Sequence, residues 1–177
     1  NLLKKTVETN LKKYADSQAL RNFYTYYLAT AINNEGIVYQ NQGNGNKALQ
    51  SFQKSYLYQK SIGNKVGMAT AINNVGSTYE RIGNLDSALY CYMQSLNYCK
   101  ESSDLSGEAN SLNNLGSVYN TQGNILEALN CFEKSLKISE KIGNEIEESL
   151  SLNFIGGIYY YQGEYEKALE YLNKCVV

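Results

Sequence analysis

One segment returns four times at a constant spacing of 40 residues. Ala31-Ile32-Asn33-Asn34-Glu35-Gly36-Ile37-Val38-Tyr39 recurs as Ala71-Ile72-Asn73-Asn74-Val75-Gly76-Ser77-Thr78-Tyr79. It recurs again as Ser111-Leu112-Asn113-Asn114-Leu115-Gly116-Ser117-Val118-Tyr119 and as Ser151-Leu152-Asn153-Phe154-Ile155-Gly156-Gly157-Ile158-Tyr159. Two further blocks keep the same step. Gly43-Asn44, Gly83-Asn84, Gly123-Asn124 and Gly163-Glu164 form one; Ala48-Leu49, Ala88-Leu89, Ala128-Leu129 and Ala168-Leu169 form the other. Phe52, Tyr92, Phe132 and Leu172 follow the Ala-Leu pairs in register. Copies with no insertion or deletion between them point to one supersecondary unit stacked on itself, because a single copy cannot bury both of its apolar faces.

Each copy reads as two helices. In the third, Leu112, Leu115, Val118 and Tyr119 make an apolar stripe at helical spacing. Gly123 then marks a left-handed stop, and Asn124 with Glu127 reads as a capping box for the next helix. That helix carries Ile125, Ala128, Leu129, Phe132, Leu136 and Ile138, and stops at Gly143. Asn144 with Glu147 repeats the capping signal; Gly63-Asn64 and Ser103-Asp104 stand at the same junction in earlier copies. The helices are expected to run about 16–18 residues, or about 25 Å. Proline is absent from the 177 residues, as a chain that is mostly helix requires. Gly36, Gly76, Gly116 and Gly156 fall inside helices, at a cost of about 1 kcal/mol each. They are expected to admit the partner helix at Ala48, Ala88, Ala128 and Ala168, with Tyr39, Tyr79, Tyr119 and Tyr159 filling the space between hairpins.

These residues resemble the tetratricopeptide repeat (TPR) family. The third copy carries the family pattern as Leu115, Gly116, Tyr119, Gly123, Ala128 and Phe132. The 40-residue period is longer than the basic TPR unit of 34 residues. It is similar to the long-helix branch found in spindle and G-protein-modulator scaffolds and in bacterial TPR regulators. The resemblance covers residues 29–177 and implies an all-α fold, an alpha-solenoid or right-handed superhelix of stacked helix-turn-helix hairpins. It also implies a concave groove that binds peptides or proteins. Four repeats are expected at about 29–68, 69–108, 109–148 and 149–177, the last one truncated. Residues 1–28 depart from the pattern. Leu2, Leu3, Val7, Leu11 and Tyr14 give a helical stripe, with Lys4, Lys5, Lys12 and Lys13 on other faces, read as a degenerate repeat or a cap. Phe23-Tyr24-Thr25-Tyr26-Tyr27 is read as the start of the first groove helix. The short last helix leaves an apolar end expected to be covered in a longer chain or in a homo-oligomer.

The face of each first helix away from Leu-Gly-Tyr is where a partner would lie. In the first copy it holds Thr30, Asn33, Asn34, Ile37, Gln40 and Asn41; in the second, Thr70, Asn73, Asn74, Ser77, Glu80 and Arg81. In the third it holds Asn110, Asn113, Asn114, Ser117, Asn120 and Thr121, and in the fourth it includes Asn153. A merely solvated face would favour Lys, Glu, Gln and Arg, which are better helix formers than Asn. A carboxamide offers two donors and an acceptor, so a column of them matches the N–H and C=O groups of an extended peptide. Groove asparagines of similar TPR proteins act this way, and the role falls best on Asn34, Asn74 and Asn114. The alternative, that part of each Asn pair joins helices to one another, stays open. Phe154, Tyr160 and Tyr161 replace polar groove residues in the fourth copy and offer a pocket for an apolar anchor. No Lys-rich strip accompanies these faces, so the expected ligand is an internal segment or a helix, not a free acidic C-terminus.

Composition narrows the rest. Net charge is -1, from 16 basic and 17 acidic side chains, which gives nucleic acid and anionic membranes no bulk attraction. No histidine is present, so His-based acid–base chemistry and His-ligated metal sites have no source in this chain. The four cysteines, Cys91, Cys99, Cys131 and Cys175, form no C-x-x-C and read as buried free thiols of a reducing, cytoplasmic compartment. Asn44-Gly45-Asn46-Lys47 lacks the full phosphate-loop pattern and reads as a turn. Catalytic residues, metals and cofactors are therefore not expected. A protein or peptide is the expected partner, without nucleic acid or membrane. The other reading is a sensory or dimerising TPR segment of a larger regulator, a sensor kinase or transcription factor.

Overall fold

The computed structural model describes residues 5–7, 9, 10 and 17–175, and among these it holds helices and turns with no strand. The helices are α1 (Gln18–Asn41), α2 (Gly45–Ser61), α3 (Lys65–Arg81), α4 (Leu85–Ser102), α5 (Leu105–Thr121), α6 (Ile125–Ile142), α7 (Glu145–Tyr161) and α8 (Tyr165–Lys174). Their boundaries follow the local signals. Six turn glycines have positive φ, Gly123 at 80° among them, where an L side chain would be strained. Ser103 takes the same left-handed position at φ 56° in the one copy that lacks the glycine. Asn44, Asn64, Asp104 and Asn144 each accept a backbone N–H three residues on. Asn124 differs from the expected capping box, because its side chain makes no cap bond and donates to Gln122 Oε1 instead. The first helix starts earlier than the aromatic run, at a Ser17 cap that accepts from Leu20 N.

The chain forms two compact units, residues 1–98 and 99–177. In the first, α1 packs on α2 and on α3, and α2 packs on α3. Its core joins Ala48 and Phe52 of α2 to Val75 of α3 and Cys91 of α4, with Tyr39 and Tyr79 against them. Val7, the one apolar member of the N-terminal stripe within the described residues, is buried with Leu28 and Ile32. Leu2, Leu3, Leu11 and Tyr14 lie outside the described residues. In the second unit, α5 packs on α6 and α7, and α7 on α8. Ala128, Phe132, Ile155 and Ile158 form its core, with Tyr119 and Tyr159 against them.

The helix glycines make room for a large side chain, Phe, Tyr or Leu, rather than for alanines. A Cβ on Gly116 would lie 2.5 Å from Phe132 Cε1, closer than carbons can approach. Phe52 stands in the same place against Gly36, Tyr92 against Gly76 and Leu172 against Gly156. The expected partners Ala48, Ala88 and Ala128 are fully buried, but the longer side chain one turn further along the second helix fills the space above each glycine. A hydroxyl column reinforces each hairpin. Ser55 Oγ donates to Ala29 O at 2.8 Å, Ser95 to Ala69 O at 3.1 Å and Ser135 to Ala109 O at 2.9 Å. Cys175 Sγ makes the corresponding contact to Ser149 O at 3.5 Å. Among the described residues no helix is long and apolar enough to cross a membrane.

Candidate functional site

The polar faces of the first helices are α1 and α3 in one unit and α5 and α7 in the other. In the first unit Asn74 Nδ2 donates to Asn33 Oδ1 at 3.1 Å, so these two carboxamides join adjacent first helices. Asn34 is exposed, while Asn73 and Asn74 are half-buried. Further along the same two helices, Gln40 Nε2 donates to Ser77 Oγ at 3.3 Å and Thr78 Oγ1 at 3.0 Å. Arg81 is exposed at the end of α3. Its neighbour Glu80 accepts from Tyr92 OH at 2.7 Å. Burial first, and this carboxylate second, push the Tyr92 hydroxyl well above its ordinary value.

In the second unit the same positions are drawn inward. Asn113 is 3% exposed and donates to Glu147 Oε2 at 2.8 Å and to Glu147 O at 3.2 Å. Its Oδ1 accepts from Ser151 Oγ at 2.8 Å. Asn110 Nδ2 reaches the other carboxylate oxygen at 2.9 Å, and Asn114 Nδ2 donates to Asn110 Oδ1 at 3.3 Å. Glu147 thus ties α7 to α5. Its backbone N–H is capped by Asn144, but its carboxylate does not return to the cap as a capping box requires. Two amide donors on a neighbouring helix take it instead. This glutamate is the functional-looking residue that local reading misses. Its signal is the column Gly67, Gly107, Glu147, in which two glycines give way to an acid.

Of the remaining groove residues, Ser117 is half-buried and Asn153 exposed. Asn153 lines an open cavity of about 590 Å³ with Ile146, Leu150 and Cys175. Phe154 does not join Tyr160 and Tyr161 in an apolar pocket. Its ring stacks on Phe132 at 4.7 Å and belongs to the hairpin core, where burial outweighs its place in the Asn column. Tyr160 and Tyr161 are exposed, Tyr161 at 89%, and meet edge to face at 5.6 Å. Among the described residues no three His, Cys, Asp or Glu side chains are grouped to hold a metal. Burial pushes the Cys91 thiol up to about 11 and raises Cys131 and Cys175 as well, so neutral pH leaves these sulfurs protonated.

A family model described as Tetratricopeptide repeat matches residues 27–101 and 107–176. Among solved structures, BtubC (BKLC) from P. vanneervenii is similar with a TM-score of 0.73 at 16% identity, over 96% of this chain and 75% of that one. The TPR-like repeats named for a Podosopora anserina kinesin light chain give 0.64 at 18% identity, over 98% and 82%. MamA gives 0.61 at 19% identity, over 98% and 84%. No curated protein matches. At these identities the likeness is one of fold.

Proposed function

Because the chain belongs to the tetratricopeptide repeat family, whose fold generally serves as a non-enzymatic scaffold for protein partners, we propose that it holds an extended partner segment against the first-helix faces of its units. One observation carries this reading. Asn34 is exposed and Asn74 half-buried on helices whose apolar faces are already packed, and Asn74 Oδ1 still has acceptor capacity beside its bonded Nδ2. Arg81 and Ser77 continue the face of α3, and the half-buried Asn114 stands at the corresponding place on α5. Exposed Tyr160 and Tyr161 add amphipathic area at low entropic cost. Asn113 supports packing and not the ligand.

The test is capture of an extended-peptide library by the intact chain and by Asn34→Ala, Asn74→Ala and Asn114→Ala variants. Loss of affinity by tenfold or more with an unchanged melting curve supports the reading. Unchanged capture removes these faces as the site. A second reading, a dimerising segment of a larger regulator, draws on the exposed Ile146 and Leu150 beside the open cavity of α7. A concentration-independent monomer in sedimentation equilibrium would exclude it.

A further inference from the structure

The junction that Glu147 fills in the second unit is open in the first. Moving back two repeats places Gly67 where Glu147 stands, Asn33 where Asn113 stands, Thr30 for Asn110 and Gln59 for Ser139. With the carboxylate missing, a cavity of about 190 Å³ remains, lined among others by Tyr26, Thr30, Asn33, Gln59, Asn64 and Gly67. We propose that this cavity receives a carboxylate, the Asp or Glu side chain of a bound partner segment, in the manner the chain's own Glu147 demonstrates.

Three features support the assignment. First, the Asn33 donor is oriented and unused. In the second unit Ser151 occupies Asn113 Oδ1 and thereby directs Nδ2 at Glu147. In the first unit Asn74 occupies Asn33 Oδ1 in the same way, and among the described residues nothing accepts from Asn33 Nδ2. Second, Gln59 lines the cavity at 4% exposure and its Oε1 accepts from Asn64 Nδ2 at 2.9 Å, while no acceptor for its Nε2 stands among the described residues. Asn33 and Gln59 thus bring two amide groups with free donor capacity to the lining of one cavity, where an acceptor can take their hydrogens. Third, the cavity abuts the first turn of α3. This turn contains Lys65 and no acidic residue, whereas the first turn of α7 contains Glu145, Glu147 and Glu148. Helix N-termini favour anions, and the turn that lacks its own anion is the one left open.

A side chain at position 67 cannot close this cavity while Gln59 keeps its place. A Cβ on Gly67 would lie 2.4 Å from Gln59 Cδ, so the site holds either the Gln59 amide or a side chain at 67, but not both. Where the acid is present, the facing residue has shrunk to Ser139. Only the source of the carboxylate rests on the partner-segment reading; the cavity and its donors do not.

The probe is propionate, which carries the end of a glutamate side chain, with propionamide as the uncharged isostere at matched ionic strength. In heteronuclear NMR of the intact chain, the Asn33 and Gln59 side-chain amide signals are expected to move saturably at millimolar propionate and to ignore propionamide. Asn33→Ala should weaken the response at least tenfold. The double substitution Gln59→Ser/Gly67→Glu, which copies the Ser139 and Glu147 pair, should abolish it. No saturable shift, an equal response to propionamide, or full retention in Asn33→Ala would overturn the proposal. Failure of the Asn34 and Asn74 substitutions to affect peptide capture would leave the propionate result standing, so the two readings fall separately.

Discussion

The junction between α1 and α3 and the junction between α5 and α7 are built from the same repeat and end in opposite states. In the second unit a carboxylate supplied by the chain joins two helices through Asn110 and Asn113. In the first, Gly67 and Gln59 leave donors facing a cavity. A solenoid can therefore keep its backbone period while exchanging volume between paired columns: glutamine against glycine at 59 and 67, serine against glutamate at 139 and 147. Such compensated swaps preserve packing better than either change alone. They also show how one repeat becomes a joint and another keeps a cavity without any alteration of the hairpin.

The largest effect should appear where the units are alike. Phe52 and Phe132 are fully buried and each fills the space above a helix glycine. Phe52→Ala and Phe132→Ala should each cost about 3–5 kcal/mol, read by native-state hydrogen exchange of the unit concerned. Similar losses in both would establish a common scaffold. A loss below about 1 kcal/mol in one unit would show that the two hairpin cores are not equivalent.

Next comes alkaline stability. Burial holds the Cys91 thiol near 11 against an ordinary 9.0. A raised folded pKa favours the protonated thiol in the folded chain, so this contribution is complete below pH 9. It is lost as the unfolded thiol ionises from pH 9 up to about 11. Two pKa units correspond to roughly 2.7 kcal/mol. Urea midpoints measured across that window should fall more steeply for the native chain than for Cys91→Ala. In the second unit Cys131 occupies the same repeat position and is also raised by burial, but Lys134 acts against the rise. Parallel curves for Cys91→Ala and the native chain would remove burial of this thiol as a determinant of stability.

The joint itself should be worth less. Glu147→Gln retains the shape but presents an NH₂ group to donors from Asn110 and Asn113, and should cost about 1–3 kcal/mol. The measurement is urea unfolding followed by exchange protection of α7. A neutral outcome would mean that apolar packing alone holds α7 to α5. Gly67→Ala, the corresponding change in the first unit, displaces both the Gln59 amide and the Asn64 side chain bonded to it and should cost a similar amount.

Most of the architecture is legible in the repeat, because helix periodicity, turn glycines and Asn or Asp caps are local signals that return at positions such as 36, 76, 116 and 156. The site is less so. Asn144-x-x-Glu147 is a capping box by every local rule, yet the carboxylate leaves it, since Asn110 and Asn113 offer two donors from another helix. Phe154 stands in the Asn column and reads as a groove aromatic, yet stacking on Phe132 buries it. The small-residue column Ser55, Ser95, Ser135 and Cys175 is visible at period 40, but its acceptors lie 26 residues upstream and become evident only when the hairpin closes. In each case the deciding partner is a tertiary neighbour that no window of sequence contains.

That last column provides the smallest and sharpest comparison. Ser55 and Ser135 donate to helix carbonyls in the two units at 2.8 and 2.9 Å, so Ser55→Ala and Ser135→Ala should each cost about 1 kcal/mol, and equally. In the final hairpin the donor is a thiol at 3.5 Å, a weaker partner on a half-buried residue. Cys175→Ser restores the hydroxyl and is expected to stabilise α8 by a few tenths of a kcal/mol, whereas Cys175→Ala should be close to neutral. Exchange protection of α8 amides distinguishes the two. Equal protection in both variants would mean that the α7–α8 hairpin closes on the packing of Leu172 over Gly156 alone, without the donor that the other three hairpins use.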